Sequence, residues 1–282
     1  ISEPVARLAR RYFPGVKVIL STWWFDTHQT GEWAGISKVF EKRPDWVDIL
    51  MADSDKGKFP AYPLTHGSPG GLPMLTFPEI SMYGTYPWGG WGANPLPRLL
   101  QGIWESARDR TGGGFAYSEG IFEDLNKVLM LQWYWDSKRD PMDTMREYCA
   151  LEVSPEAAGE LARAAELMEK NNAHKWVVDD TTKQRIAKVA HADIAAEVEA
   201  CVTRAETGMS AIARRAWRWR IFRIRAALDH ELARSSGAAG GRVDEYLREL
   251  TRIYCMRDNA RHAPIRKSLG WSVADELARG PD

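Results

Sequence analysis

Two glutamates in the first half of the chain each follow an apolar run. Glu79 ends the run that begins at Leu72, and Glu119 follows the run from Gly113 to Ser118. Buried parallel strands keep the chemistry of α/β proteins at their carboxyl ends, so we predict that both carboxylates face a site. Pro78 restricts the backbone directly before Glu79. Glycoside hydrolysis uses such a pair of carboxylates at one bond, so we predict Glu79 and Glu119 as catalytic residues.

The same part of the chain is dense in flat aromatic side chains. Tyr and Trp rings suit stacking on the apolar face of a sugar, and they also suit a protein contact or a packed loop. The glycine-rich loop 82–95 is the strongest binding signal, because glycines let the backbone turn closely around these rings. The aromatic residues in question are Trp23, Trp24, Trp33, Trp88, Trp91, Tyr83, Tyr86 and Tyr117.

Several of these residues have two interpretations that the sequence leaves open. Glu119 follows Ser118, a natural N-cap, and also suits the positive end of the next helix without any substrate. Asp26 and Asp53 either bond their own loops or orient sugar hydroxyls. Isolated histidines form no metal pattern but can bond a substrate. The predicted substrate-binding residues are Trp23, Trp24, Asp26, Asp53, His66, Tyr83, Trp88, Trp91, Asn94 and Tyr117.

Helical and strand patterns alternate over residues 1–135, which predicts a parallel sheet covered by helices on both faces. Four strands in about 120 residues match half of a (β/α)8 barrel of the TIM type. The alternative is a small doubly wound sheet, but residues 21–26 lack a glycine-rich phosphate loop. The predicted strands are 16–23, 46–52, 72–77 and 115–118, and the predicted helices are 3–12, 36–43, 96–110 and 122–135.

The composition changes after Trp135, because nine of the thirteen tryptophans lie at or before that position. Residues 136–282 are rich in Ala, Glu and Arg and are predicted to form an all-α domain. Its predicted helices are 155–170, a long region 180–234 with a break at Gly208, and 243–256.

Arginines alternate with aromatic residues over 214–225, in a superficial likeness to a nucleic-acid-binding helix. Helical spacing instead places one apolar stripe toward a core, with the arginines on its flanks to pair with acidic residues of neighbouring helices. The predicted stripe is Ala213, Trp217, Ile221, Ile224 and Leu228.

Bulk composition excludes several classes of protein. Lys plus Arg and Asp plus Glu both number 38, so net charge gives no argument for nucleic acid. The three cysteines, Cys149, Cys201 and Cys255, form no disulfide or zinc pattern and are predicted to be buried thiols. No apolar run is long enough to span a membrane. We predict no cofactor and no metal, and leave the compartment open, with export favoured for a protein that degrades soluble glycans.

Segments of the first half resemble the later part of glycoside-hydrolase-like barrels of bacterial proteins with a trailing helical domain. The segments are 21–23, 77–82, 87–90, 92–95 and 117–127. The architecture is similar to that of β-N-acetylhexosaminidases, endo-N-acetylglucosaminidases and α-glucuronidases. The resemblance implies a carbohydrate substrate and strands five to eight of a barrel. In several such families the acid/base residues follow the fourth strand, so it also implies a catalytically incomplete chain.

The sequence therefore predicts a glycosidase-like protein that acts on a glycan through strand-end carboxylates and an aromatic loop. One alternative is a non-catalytic module that binds a carbohydrate or a protein. Another is a fragment of a glycosidase whose open barrel edges associate with a second copy, because an open sheet leaves its end strands unpaired.

Overall fold

The computed structural model describes residues 2–27, 29–54, 58–81, 95–118, 124–171, 177–178, 185–186, 191–234 and 242–254. The protein is a mixed α/β structure, mostly helical, with a small parallel sheet. It forms two compact units. Unit 1 comprises residues 1–79, 99–117 and 133–137, and unit 2 comprises residues 80–98, 118–132 and 138–282.

The first part of the chain alternates helices with short strands. In chain order the elements are α1 (Ser2–Tyr12), β1 (Ile19–Ser21), α2 (Glu32–Val39), β2 (Ile49–Ser54), α3 (Ala61–His66), β3 (Met74–Ser81), α4 (Pro97–Ala107), β4 (Tyr117–Ser118) and α5 (Leu125–Trp135). The helix α3 was not predicted, and the other elements lie where the sequence placed a helix or a strand.

The sheet has the order β1-β2-β3-β4, and β2 pairs in parallel with both β1 and β3. The predicted parallel pairing is therefore confirmed for these three strands. The order follows the chain without the reversal at which doubly wound sheets bind their ligands. The described strands thus favour a singly wound arrangement over the doubly wound alternative.

One face of the sheet carries the core of unit 1. The register aligns Leu20 with Leu50 and Leu50 with Met74, and these side chains lie on one face because neighbouring residues of a strand alternate. Leu50 and Met74 pack in a buried cluster with Trp33 of α2 and Ala107 of α4. Full burial of each large apolar side chain contributes about 1.5–3 kcal/mol.

The opposite face is less covered at its first strand. Ile19 is 40 % exposed and Ser21 is exposed. Met51, which is paired with Ser21 on the neighbouring strand, is half-buried. The prediction that helices cover both faces is therefore wrong for β1. Met51 of β2 is paired with Leu75 of β3, so both lie on this second face. Asp53 is two residues after Met51 and Glu79 is four residues after Leu75, so both acids lie on the same face.

A close approach of two backbones holds the fourth strand beside β3. Gly114 forms a parallel bridge with Thr76, whose N–H donates to Gly113 O at 2.9 Å and whose carbonyl accepts from Phe115 N at 2.9 Å. The Thr76 hydroxyl lies 2.9 Å from Tyr134 Oη. Burial raises the pKa of Tyr134 to about 12. Continuing this register by three residues brings Tyr117 level with Glu79.

The amino end of the sheet is tied to α1 by charge. Arg10 donates to Asp48 Oδ2 at 2.8 Å, and the backbone N–H of Val18 donates to the same oxygen at 2.7 Å. Both bonds favour the carboxylate, so the pKa of Asp48 lies below its usual value, chiefly through the Val18 bond. Val18 therefore bonds a side chain at this position, and β1 begins at Ile19 rather than at the predicted Val16.

Unit 2 contains the remaining described helices. They are α6 (Pro141–Glu152), α7 (Ala158–Asn171), α8 (Ala192–Thr207), α9 (Trp217–Arg234) and α10 (Arg242–Tyr254), and an antiparallel pair joins β5 (Val177–Val178) to β6 (Arg185–Ile186). The prediction of one helical region over 180–234 is wrong at its start, which β6 occupies. The predicted break at Gly208 is confirmed, since this residue is the C-cap of α8.

The arginine-rich segment forms α9, which packs against both α8 and α10. Its buried side chains include Trp219 and Phe222, whereas Trp217 and Ile221 of the predicted stripe are only half-buried. The apolar face is thus rotated and wider than predicted, because a helix with two helical neighbours is buried over more of its circumference. The predicted pairing of arginines with neighbouring acidic residues is confirmed by Arg218 on Asp124 and Arg223 on Glu199.

A buried ion pair also lies within α9. Arg225 Nε donates to Asp229 Oδ2 at 2.9 Å, and both side chains are almost fully buried. Burial raises the pKa of Asp229, while the Arg225 guanidinium opposes that shift. Cys149 and Cys201 are buried free thiols as predicted, and burial raises the pKa of Cys149 to about 12. Cys255 lies outside the described residues.

The start of α6 gives a direct test of helix capping. The Asp140 carboxylate accepts a hydrogen bond of 2.7 Å from Met142 N, with Pro141 at the first helical position. We expect Asp140→Ala to lower the free energy of unfolding by about 1 kcal/mol and Asp140→Asn to keep most of it, because Asn caps as well as Asp. Urea unfolding followed by circular dichroism measures both. Equal losses in the two variants would assign the effect to the charge of Asp140 beside Arg98, 3.8 Å away.

Candidate functional site

Glu79 lies near the carboxyl end of β3 and is only 2 % exposed. Its Oε1 accepts a hydrogen bond of 3.0 Å from the indole Nε1 of Trp23. Trp23 belongs to the loop that follows β1, so two strands separated by β2 contribute to this contact. The carboxylate is thereby held at one end of the sheet, as the sequence predicted for a strand-end acid.

Trp23 and Trp24 form an aromatic pair beside this carboxylate. Their ring centroids are 5.1 Å apart at an interplanar angle of 50°, and their exposed fractions are 45 % and 43 %. Large aromatic rings left this exposed provide apolar area for a partner or a ligand. Trp24 has a φ of 65°, which is rare for a bulky residue and costs energy that the surrounding contacts must offset.

Asp53 holds the backbone of this tryptophan loop. It lies on β2 and is 4 % exposed, and its Oδ2 accepts a hydrogen bond of 3.0 Å from Trp24 N. Thr22 extends the ladder of β1 by donating its N–H to Met51 O at 2.9 Å. The end of β1 and the end of β2 therefore position the two tryptophans together.

Tyr117 completes the described aromatic surface. Its ring lies 6.4 Å from that of Trp23 and 4.9 Å from that of Phe77, measured between centroids. The structure thus brings together five of the predicted site residues within unit 1. These are Trp23, Trp24, Asp53, Glu79 and Tyr117.

Asp26 has a different set of contacts. Its Oδ1 accepts from Glu32 N at 2.7 Å, and its own N–H donates to Glu32 Oε2 at 2.8 Å. This reciprocal pair satisfies donors at the start of α2 in the manner of a capping box. Asp26 therefore bonds backbone, which is the structural alternative that the sequence left open.

His66 lies at the end of α3, apart from these contacts. Its ring stacks on Tyr62 with centroids 4.2 Å apart, and its Nδ1 lies 2.7 Å from Thr65 Oγ1. Tyr62 stacks in turn on the buried Trp33. All hydrogen bonds and ring contacts of His66 with described residues are thus made within α3.

Five predicted site residues fall outside the described residues. They are Glu119, Tyr83, Trp88, Trp91 and Asn94. Their roles remain predictions from the sequence.

The sequence did not single out Phe77 or the hydrogen-bonding role of Trp23. Phe77 precedes Glu79 by two residues, so alternation along β3 places both on one face, and this period of two was a readable signal. The indole bond to Glu79 had no local signal, because the two residues are 56 positions apart.

The described residues contain no group of three or more His, Cys, Asp or Glu side chains that could hold a metal ion. None of the described helices combines the length and apolar character needed to cross a lipid bilayer.

Comparisons with known proteins find similar chains among the solved structures. The sequence matches no family model and no curated protein. Among solved structures, the chain is similar to a protein described as a novel family GH115 4-O-methyl-α-glucuronidase with specificity for decorated arabinogalactans. The TM-score is 0.48 at 13 % identity, and the match covers 75 % of this chain and 32 % of that one.

Proposed function

We propose that the strand-end site of unit 1 binds a carbohydrate and hydrolyses a glycosidic bond with Glu79 as the acid/base residue. The observation that carries the proposal is the hydrogen bond between the half-exposed Trp23 ring and the buried Glu79 carboxylate. A sugar stacked on this ring would have its polar edge beside a carboxylate. Sugar sites combine these two features, an apolar platform and a few well-placed polar groups.

Asp53 and the predicted Glu119 are the candidates for the second carboxylate. Asp53 is aligned with Phe77, two residues before Glu79, on the neighbouring strand and on the same face. Strand spacing and rise place the Asp53 and Glu79 Cα atoms about 8 Å apart. Side chains at that separation can bring carboxyl groups into the ranges used by glycosidases, about 5–5.5 Å for retention and about 6.5–9.5 Å for inversion.

The second candidate function is carbohydrate binding without catalysis. It is favoured by the present contacts of both acids, since Glu79 accepts from the Trp23 indole and Asp53 from the Trp24 backbone. In this version the carboxylates only orient Trp23 and Trp24, whose rings form the aromatic platform on which a sugar stacks. Hydrolysis by the unaltered chain separates the two functions, because a binding module releases no product.

We further propose that the sheet belongs to a TIM-type half barrel over residues 1–135, followed by a helical domain over 136–282. The sequential strand order and the open second face of β1 support a singly wound sheet. When parallel strands are added in order along one direction of a sheet, right-handed crossovers place all the connecting helices on the same face. Asp53 and Glu79 would then point into the barrel.

The first test is a panel of oligosaccharides and chromogenic glycosides, with binding measured by calorimetry and hydrolysis by product release. We expect Trp23→Ala to weaken binding of the selected glycan about tenfold, because about 1.4 kcal/mol of stacking is lost. Trp23→Phe should retain part of the affinity, since it keeps a flat but smaller ring and loses the indole N–H that bonds Glu79.

The matched control is Trp135→Ala, which removes a tryptophan that is 91 % exposed. It should leave affinity unchanged. Equal affinity of the Trp23→Ala and unaltered proteins for the glycan would refute the aromatic platform.

A further inference from the structure

The tryptophan loop, residues 22–27, follows β1 and carries the two half-exposed indoles of the candidate site. Its backbone forms two overlapping β-turns. Phe25 N donates to Thr22 O at 3.1 Å and closes the first turn, and Thr27 N donates to Trp24 O at 3.1 Å and closes the second. The third residues of these turns are Trp24 and Asp26, at φ values of 65° and 59°. Such a position usually holds Gly or Asn, so a bulky Trp there depends on the contacts around it.

The first turn explains why the two indoles lie together. Consecutive side chains of an extended chain point to opposite sides, so Trp23 and Trp24 would lie apart if the chain continued as a strand after β1. Their ring centroids are instead 5.1 Å apart. The left-handed Trp24 therefore brings the two rings together, and a change of its backbone conformation would separate them.

A carboxylate bonds the third residue of each turn. A β-turn uses the N–H of its fourth residue for its own hydrogen bond, which leaves the N–H of the third residue available to an outside acceptor. Trp24 N donates to Asp53 Oδ2 of β2 at 3.0 Å, and Asp26 N donates to Glu32 Oε2 at 2.8 Å. Asp26 Oδ1 accepts from Glu32 N at 2.7 Å, so two hydrogen bonds tie the second turn to the first residue of α2.

We propose that Glu32 is a positioning residue of the candidate site, which holds the Trp23–Trp24 pair through Asp26. Its carboxylate selects the left-handed conformation of Asp26 and so fixes the second turn. The two turns share Trp24 and the residue after it, so fixing the second restricts the backbone of the first. The expected effect on glycan affinity rests on the proposed function, whereas the effect on the tryptophan pair does not.

Nuclear magnetic resonance of the indole N–H groups tests the proposal on the ¹⁵N-labelled full chain. Trp23→Phe and Trp24→Phe assign the two signals, since each variant removes one. Glu32→Ala should shift both signals, because the rings move apart and the indole bond from Trp23 to Glu79 changes. Glu32→Gln should keep both signals in place, because its amide oxygen can still accept the Asp26 N–H.

Calorimetry with the glycan that the panel selects gives the second readout. Glu32→Ala should weaken binding about fivefold, the effect of losing one hydrogen bond, and Glu32→Gln should restore most of the affinity. Glu41→Ala is the matched control, because Glu41 is an exposed acid two residues after the end of α2. It should leave both the indole signals and the affinity unchanged.

The proposal is overturned if Glu32→Ala leaves both indole signals in place, even with a lower melting temperature, because Glu32 would then only stabilise the start of α2. It is also overturned if Glu32→Gln shifts the signals as far as Glu32→Ala does. A chain that binds no glycan would refute the proposed function, and the indole signals would still decide the role of Glu32.

Discussion

Glu79→Gln is expected to abolish hydrolysis while leaving glycan binding almost intact. The amide has the size of the carboxylate and its oxygen can still accept the Trp23 indole hydrogen bond, so the aromatic platform should stay in place. The amide cannot donate or accept the proton that general acid/base catalysis transfers. Loss of general acid/base catalysis lowers kcat by about 10²–10⁴-fold. Product release from the glycoside selected by the panel measures kcat, and calorimetry measures affinity.

Asp45→Asn is the matched control for this substitution. Asp45 is an exposed acid of unit 1 that pairs with Arg7, near the amino end of β2. It should keep both hydrolysis and binding. Full activity of Glu79→Gln would contradict the catalytic assignment. Loss of binding together with hydrolysis would instead make Glu79 a positioning residue for the Trp23 ring.

Gly114→Ala is expected to cause the largest loss of stability. A Cβ at this position would lie 2.2 Å from Thr76 O, 2.2 Å from Thr76 Oγ1 and 2.8 Å from Tyr134 Oη. Backbone atoms cannot yield at such distances without breaking the hydrogen bonds between β3 and residues 113–115. Overpacking and the loss of a buried backbone bond together cost about 3 kcal/mol or more. Urea unfolding followed by circular dichroism measures this loss.

Gly112→Ala is the control two residues earlier. A Cβ at Gly112 meets no atom within 4 Å, and its φ is not in the left-handed region. Alanine at such a position changes stability by less than about 1 kcal/mol and often raises it. Similar unfolding free energies for the two variants would mean that Gly114 does not need to lie against Thr76.

The same glycine explains why the fourth strand was only partly predictable. The sequence placed a strand over 115–118 from its apolar residues, whereas the pairing with β3 already begins around Gly112 and Gly114. Glycines lack a side chain that marks a strand, so propensity begins the predicted strand too late. The requirement for glycine comes from a strand neighbour that is distant in sequence, and no local pattern contains it.

Local signals predicted helix ends well where they were used. Gly208 ends α8 as its position indicated. The helix predicted over 155–170 follows Ser154-Pro155, an N-cap residue before a proline, and helical structure does begin there, first as a 3₁₀ turn and then as α7. The same signature at Asp140-Pro141 begins α6, which the sequence interpretation overlooked. That helix was therefore predictable from an N-cap residue followed by proline.

The candidate site was predictable as residue types and strand ends but not as contacts. Strand-end position singled out Glu79 and Asp53, and aromatic character singled out Tyr117; the structure brings them together with the two tryptophans. Asp26 also follows a strand and was predicted to bind the substrate, yet its carboxylate accepts a hydrogen bond from the backbone of Glu32. Which acid faces a cleft and which caps a helix depends on residues that fold beside it, so spacing alone could not separate them.

The most direct test of the carbohydrate site is a crystal structure of the Glu79→Gln protein with the glycan that binds it most tightly. We predict a sugar ring stacked on Trp23, with an oxygen of the scissile linkage within hydrogen-bond distance of the side chain at position 79. A glycan bound elsewhere, or a protein that binds no member of the oligosaccharide panel, would contradict the assignment of this strand-end site.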